Sequence, residues 1–110
     1  MPSSSSANSG VAGRYASALF ELAEEKKKLD GVAADTATIR ELLSESADLR
    51  RLVASPVIAR EEQGKAIADV LDKAGVSAIT QNFVGVVARN RRLFALDDMC
   101  TAFRDTLAER

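Results

Sequence analysis

The sequence predicts an all-α fold, a compact six-helix bundle over residues 11–110, on three observations. From Val11 onward Ala, Leu, Glu, Lys and Arg dominate, and apolar residues return every three or four positions rather than every two. Val, Ile and Thr never gather into alternating runs, so no strand is expected. Caps and breakers then divide the text into segments joined by short connections, which favours antiparallel neighbours. At 110 residues, 46% hydrophobic and 28% charged, the chain is sized for one domain around one core.

Residues 1–10 contain the run PSSSSANSG, small and polar with nothing to bury, and read as a disordered Ser-rich tail. The first helix is expected from about Val11 to Lys27, with Lys26, Lys27 and Lys28 suited to the negative pole at its end. The second runs from about Asp30 to Ser46, where Val32, Thr36, Ile39 and Leu43 recur at helical spacing and Gly31 weakens only the first turn. A short third helix, capped by Ser46 or Asp48, carries Leu49, Leu52 and Val53. Ser55-Pro56 stops it, because a residue before Pro avoids the helical region. The fourth, about Ala59 to Ala74, opens with Glu61 and Glu62, buries Ala66, Ile67, Val70 and Leu71, and closes at Gly75. Ser77 caps the fifth, which Asn90 closes after Arg89. The sixth covers about Leu93 to Ala108, with Leu96, Met99, Cys100, Phe103 and Leu107 as its stripe.

On a helical wheel at roughly 100° per residue, two of these stripes are too wide. In the first helix Ala12, Ala16, Leu19, Phe20 and Ala23 form one flank and Val11, Tyr15, Ala18 and Leu22 a second. Together they span about 200°, twice what a one-sided surface helix needs. The fifth helix repeats this, with Phe83, Val84, Val87 and Ala88 on one side and Ile79, Val86 and, at the edge, Asn82 on the other. Two readings fit. Both helices are central in the bundle, or their second flanks form an apolar groove for an amphipathic helix of another chain. Tyr15 suits either, as a core residue with its hydroxyl at the rim or as an interface anchor.

The chemistry of catalysis is missing. With no His and one Cys, zinc sites, iron–sulfur clusters, disulfides and His-based nucleophiles are excluded, so no metal and no cofactor is expected. The pairs Glu24-Glu25, Glu61-Glu62 and Asp97-Asp98 point about 100° apart on a helix and imply no shared site. Cys100 lies on an apolar stripe, where a thiol is inert. No Gly-rich phosphate loop occurs. A net charge of −1 gives no global pull on nucleic acid or anionic lipid. The one basic cluster, Arg89-Asn90-Arg91-Arg92, suits a helix C-terminus, with Asp97 and Asp98 near in sequence to neutralise it, as well as it suits a phosphate grip. A small helical nucleic-acid-binding domain and a regulatory bundle that self-associates through the groove are therefore the alternative readings. No apolar run approaches the roughly 18 to 20 residues of a membrane span, and the first ten residues lack the marks of a signal peptide, so a cytosolic compartment is expected.

Three strings carry a resemblance: Arg14-Tyr15-Ala16-Ser17-Ala18-Leu19-Phe20-Glu21-Leu22-Ala23, then Ser55-Pro56-Val57-Ile58, then Gln81-Asn82-Phe83 leading to Arg89-Asn90-Arg91-Arg92-Leu93. In this order and spacing they resemble the N-terminal domain of the delta subunit of bacterial F-type ATP synthase, relative of the mitochondrial oligomycin-sensitivity-conferring protein, from Val11 to Arg110. Ser55 stands where that family more often has Asn, and Ala59 where it often has Ser or Asp, which leaves the fourth helix without a side-chain cap. The resemblance implies a six-helix bundle with no enzymatic activity, a stator part that ties the catalytic head to the peripheral stalk. It implies that the N-terminal helix of an alpha subunit docks between the first and fifth helices, with Tyr15 at the family's groove Tyr and Val86 at its apolar groove position. Wheel geometry adds Val11, Ala18, Leu22, Ile79 and Asn82. Contact with b-type stalk subunits is implied for a further C-terminal segment of whole delta subunits, absent from this sequence. The implied location is peripheral, at the cytoplasmic face of the inner (plasma) membrane.

Overall fold

The computed structural model describes residues 10–109, and the Ser-rich segment before them lies outside the described residues. Six α-helices follow one another: α1 (Gly10–Glu25), α2 (Leu29–Glu45), α3 (Ala47–Ala54), α4 (Arg60–Lys73), α5 (Ala78–Arg89) and α6 (Leu96–Ala108). A single 3-10 turn, Leu93–Ala95, precedes α6, and no strand occurs among the described residues. The radius of gyration, 13.1 Å, matches the roughly 13 Å of a hundred-residue globule, so the helices share one body.

Local chemistry explains most boundaries. The Leu49 N–H donates to Ser46 Oγ at 3.0 Å, which starts α3. Ser55 Oγ accepts from the Val57 and Ile58 N–H groups, turning the chain at Pro56. Ala59 begins α4 with no side-chain bond, leaving Glu61 and Glu62 to complement the exposed N–H groups. At its end Gly75 sits at φ 80, and the Val76 N–H reaches the Leu71 carbonyl at 3.1 Å. Ile67 and Leu71 of α4 are buried, while Ala66 and Val70 are half-buried.

Three features differ from the expectation: the ends of α1, the start of the sixth helix and the role of Ser77. α1 takes in Gly10 and stops at Glu25, because Lys27 turns left-handed at φ 58 and the Lys28 N–H closes on the Ala23 carbonyl at 2.8 Å. α5 ends at Arg89 with Asn90 as its C-cap, as expected, and it is the following residue, Arg91, that turns left-handed, at φ 57. A left-handed conformation costs an L-residue roughly 1–2 kcal/mol. It is offset here because the Arg91 guanidinium donates to the Ile58 carbonyl at 2.9 Å and to the Pro56 carbonyl at 3.1 Å. The sixth helix is shortened, since the Ala95 N–H bonds the Arg92 carbonyl at 2.9 Å and winds Leu93–Ala95 into a tighter turn that buries Leu93 and Ala95. Ser77 precedes α5 but does not cap it with its side chain. Its hydroxyl donates instead to the carboxylate of Asp35 on α2, as does the buried Thr80 hydroxyl at 2.7 Å, while the Ser77 N–H lies 3.3 Å from the same group. A buried carboxylate must be satisfied, and it outcompetes the weaker capping bond.

The core has two parts. Ala16, Leu19, Phe20 and Ala23 of α1 join Val32, Ala102 and Phe103 in one, with the Phe20 and Phe103 ring centres 5.3 Å apart. The larger cluster joins α2 to α6 around Ile39, Ile67, Leu71, Val84, Val87, Leu96 and Met99, and includes Ala12 of α1. Cys100 lies in it, and burial, helped by the Asp97 charge, pushes its thiol up to about 12 from 9.0 despite the opposing influence of Arg40. Cys100 is therefore expected to resist alkylation in the folded chain and react on unfolding. Because its folded pKa exceeds the unfolded value, its contribution is complete below pH 9 and fades as pH rises toward 12. Urea unfolding midpoints against pH should fall over that window, and Cys100→Ala should flatten the fall.

Candidate partner-binding groove

α1 and α5 run antiparallel. Tyr15, near the start of α1, accepts a 2.8 Å hydrogen bond at its hydroxyl from Asn90 Nδ2, just past the end of α5. At the other end Ile79 of α5 packs on the cluster that holds Phe20 and Ala23. The inner flanks of both helices are taken by the core, through Ala16, Leu19, Phe20 and Ala23 on one and Thr80, Val84, Val87 and Ala88 on the other. Their outer flanks diverge and leave a groove of about 770 Å³ between them.

Six of the seven residues picked out from the sequence line this groove: Tyr15, Ala18, Leu22, Ile79, Asn82 and Val86. Val11 does not. It is half-buried against the larger core cluster one turn before Tyr15, beyond the point where the groove lining begins. The structure adds Leu19, Ala78, Phe83, Lys26 and Lys28 to the lining. Phe83 was assigned to the core face, and it does both, half-buried under the groove floor with its ring edge-on to Tyr15 at a centroid distance of 6.4 Å and an angle of 69°. That packing, with the Asn90 bond, holds the Tyr15 ring in place before any guest arrives. Leu22 is 38% exposed and Val86 40%, so two of the four large apolar side chains exposed among the described residues lie in one trough.

The lining of the groove is mostly apolar. No Asp or Glu lines it, so it offers no general acid–base pair. Elsewhere Asp97 pairs with Arg40 at 3.6 Å and not with the arginines after α5, a correction to the expected neutralisation. Of those arginines, the structure takes Arg91 out of any shared grip on phosphate. Arg91 is drawn inward to the Pro56 loop and to Gln63, and the Arg89 carbonyl receives Arg60. No group of three or more His, Cys, Asp or Glu among the described residues could hold a metal ion.

Comparison with known proteins places this geometry. The family model described as ATP synthase delta (OSCP) subunit matches residues 11–110. The ATP synthase subunit delta of Parvibaculum lavamentivorans is 55% identical over 102 residues, 93% of this chain and 53% of that protein. The subunit delta of Methylobacterium radiotolerans is 60% identical over 95 residues, 86% of this chain and 50% of the relative, and that of Azorhizobium caulinodans 57% over 102 residues, 93% and 55%. The chain thus spans about half the length of the curated relatives it matches. Since the family model covers the whole helical bundle and several relatives exceed half identity along it, the chain belongs to the ATP synthase delta (OSCP) subunit family.

Proposed function

We propose that this chain is a non-catalytic stator component of F-type ATP synthase that binds the N-terminal helix of an alpha subunit in the groove between α1 and α5, linking the catalytic head to the peripheral stalk. The single observation that carries this reading is the groove itself, an apolar trough of about 770 Å³ between two helices whose outer flanks no other element covers. An amphipathic guest helix would lay its apolar side chains over Leu22, Ile79 and Val86, and the small Ala18 lets its backbone come close. A joint under torque needs slow dissociation, which desolvated apolar anchors provide better than rim charges. Contact with b-type stalk subunits falls, on this reading, to the part of whole delta subunits that this chain does not span. No helix of the described residues is long and apolar enough to cross a membrane, which agrees with a peripheral place at the cytoplasmic face of the inner (plasma) membrane, held through the complex.

Calorimetric titration with a peptide of roughly twenty residues, five to six helical turns, copying the alpha-subunit N-terminus of the same source tests the proposal. The expected result is a Kd below about 1 μM with a negative heat-capacity change and only a modest loss at high salt. Tyr15→Ala should weaken binding by about 1–3 kcal/mol while the far-ultraviolet dichroism of the chain is kept. Unchanged affinity in Tyr15→Ala, or melting of the domain, would move Tyr15 from the groove to the core.

A further inference from the structure

The groove is not electrically symmetric. At the end where α1 stops and α5 starts, Lys26 and Lys28 form part of its wall, whereas Tyr15 and Val86 at the opposite end leave the lining uncharged. The turn that carries the lysines is bonded back to α1 twice, from the Lys27 N–H to the Glu24 carbonyl at 3.1 Å and from the Lys28 N–H to the Ala23 carbonyl at 2.8 Å. With Lys27 left-handed between them, the two stems stay on the groove side while Lys27 itself does not line it. No acidic side chain stands beside them in the groove lining. The acids next to them in sequence, Glu24, Glu25 and Asp30, are exposed and do not line the groove, and Asp35 of α2 is buried and occupied by Ser77 and Thr80. Two cations thus border an apolar trough that supplies no acidic partner of its own.

We propose that this lysine end is the orientation determinant of the groove: the docked helix places side-chain carboxylates over Lys26 and Lys28 and its uncharged apolar part over Leu22, Ile79 and Val86. The proposal rests on the helix-in-groove reading above and adds the direction in which the guest lies. Apolar surface carries the affinity but is indifferent to direction, because a reversed amphipathic helix buries similar area. Charge complementarity breaks that tie and speeds encounter, while exposed pairs add little to the final affinity. A reversed guest would leave both lysines without counter-charge and its own carboxylates over Val86.

The test uses the 110-residue chain, the alpha-subunit N-terminal peptide, and two altered peptides in which the carboxylates of the first or of the second half are replaced by amides. Lys26→Glu combined with Lys28→Glu, at exposed positions outside the core, should keep the helical dichroism and slow association by about tenfold. It should also reverse the sign of the salt dependence of the association rate, so that added salt speeds association with the variant where it slows association with the parent. One altered peptide should lose about fivefold in affinity to the parent chain and become insensitive to the lysine replacements, and the other should behave like the unaltered peptide. An unchanged association rate in the lysine variant, or an equal response of both altered peptides, would overturn the orientation role. Val86→Glu separates the two claims: if it abolishes binding while the lysine replacements do nothing, the groove reading stands and the orientation proposal falls. If the parent chain does not bind the peptide, or instead dimerises through this face in a manner blocked by Val86→Glu, both fall.

Discussion

Phe20→Ala is expected to lower the free energy of unfolding by about 3–5 kcal/mol, the usual cost of truncating a buried aromatic side chain. Against the roughly 5–15 kcal/mol of an ordinary domain that is a large share. Phe20 is 3% exposed, packs on the Phe103 ring, and sits where α1 meets α6, the most extensive helix–helix contact in the fold. Its neighbours Ala16, Ala23 and Ala102 are small and cannot fill the space, so a cavity remains. Urea unfolding of the variant should show a lower midpoint with an unchanged slope. A loss below about 1 kcal/mol would mean that the smaller core cluster can collapse around the vacancy, contrary to this account.

Asp35→Ala is expected to cost about 2–4 kcal/mol, since bonds to a charged group are worth roughly 1.5–3 kcal/mol each but do not add fully. The carboxylate gathers the Ser77 hydroxyl and N–H and the fully buried Thr80 hydroxyl at the start of α5. Its removal leaves Thr80 unsatisfied and frees the first turn of the helix that forms one wall of the groove. Asp35→Asn should fall between the parent and Asp35→Ala, because an amide oxygen still accepts but the amide nitrogen cannot. Thermal unfolding orders the three proteins, and hydrogen exchange at the start of α5 should accelerate in the same order. Equal stability for all three would show that the network contributes nothing.

Where local chemistry decides the outcome, the amino-acid text was sufficient. Ser46 as a cap, Pro56 as a stop and Gly75 as a left-handed terminator each act through their own neighbours, and each stands where expected. The wide apolar arcs of the first and fifth helices were legible for the same reason, since period and width are properties of one helix. Distant partners were not legible. Ser77 looked like a cap, but Asp35, 42 residues earlier, claims its hydroxyl. The left-handed turn at Arg91 had no signal of its own, because the carbonyls that hold its guanidinium belong to the distant Pro56 loop.

The groove shows the same division. A wheel sorts side chains by angle but does not know where a neighbouring helix ends, so Val11 shared an arc with Tyr15 and yet lies beyond the end of the groove. Phe83 was placed inside by its angle, although the splay of the two helices lets its ring serve both core and groove floor. Lys26 and Lys28 were read as charges suited to a helix end, and only the folded turn brings them to the groove wall.

The most direct test of the central claim is chemical-shift mapping of the isotopically labelled chain titrated with the alpha-subunit N-terminal peptide. The account predicts perturbations concentrated on Tyr15, Ala18, Leu22, Ile79, Asn82 and Val86, with Val11 and the arginines Arg89, Arg91 and Arg92 little affected. Perturbations centred on Arg89, Arg91 and Arg92, or on the exposed Val57 and Phe94 outside the groove, would contradict it.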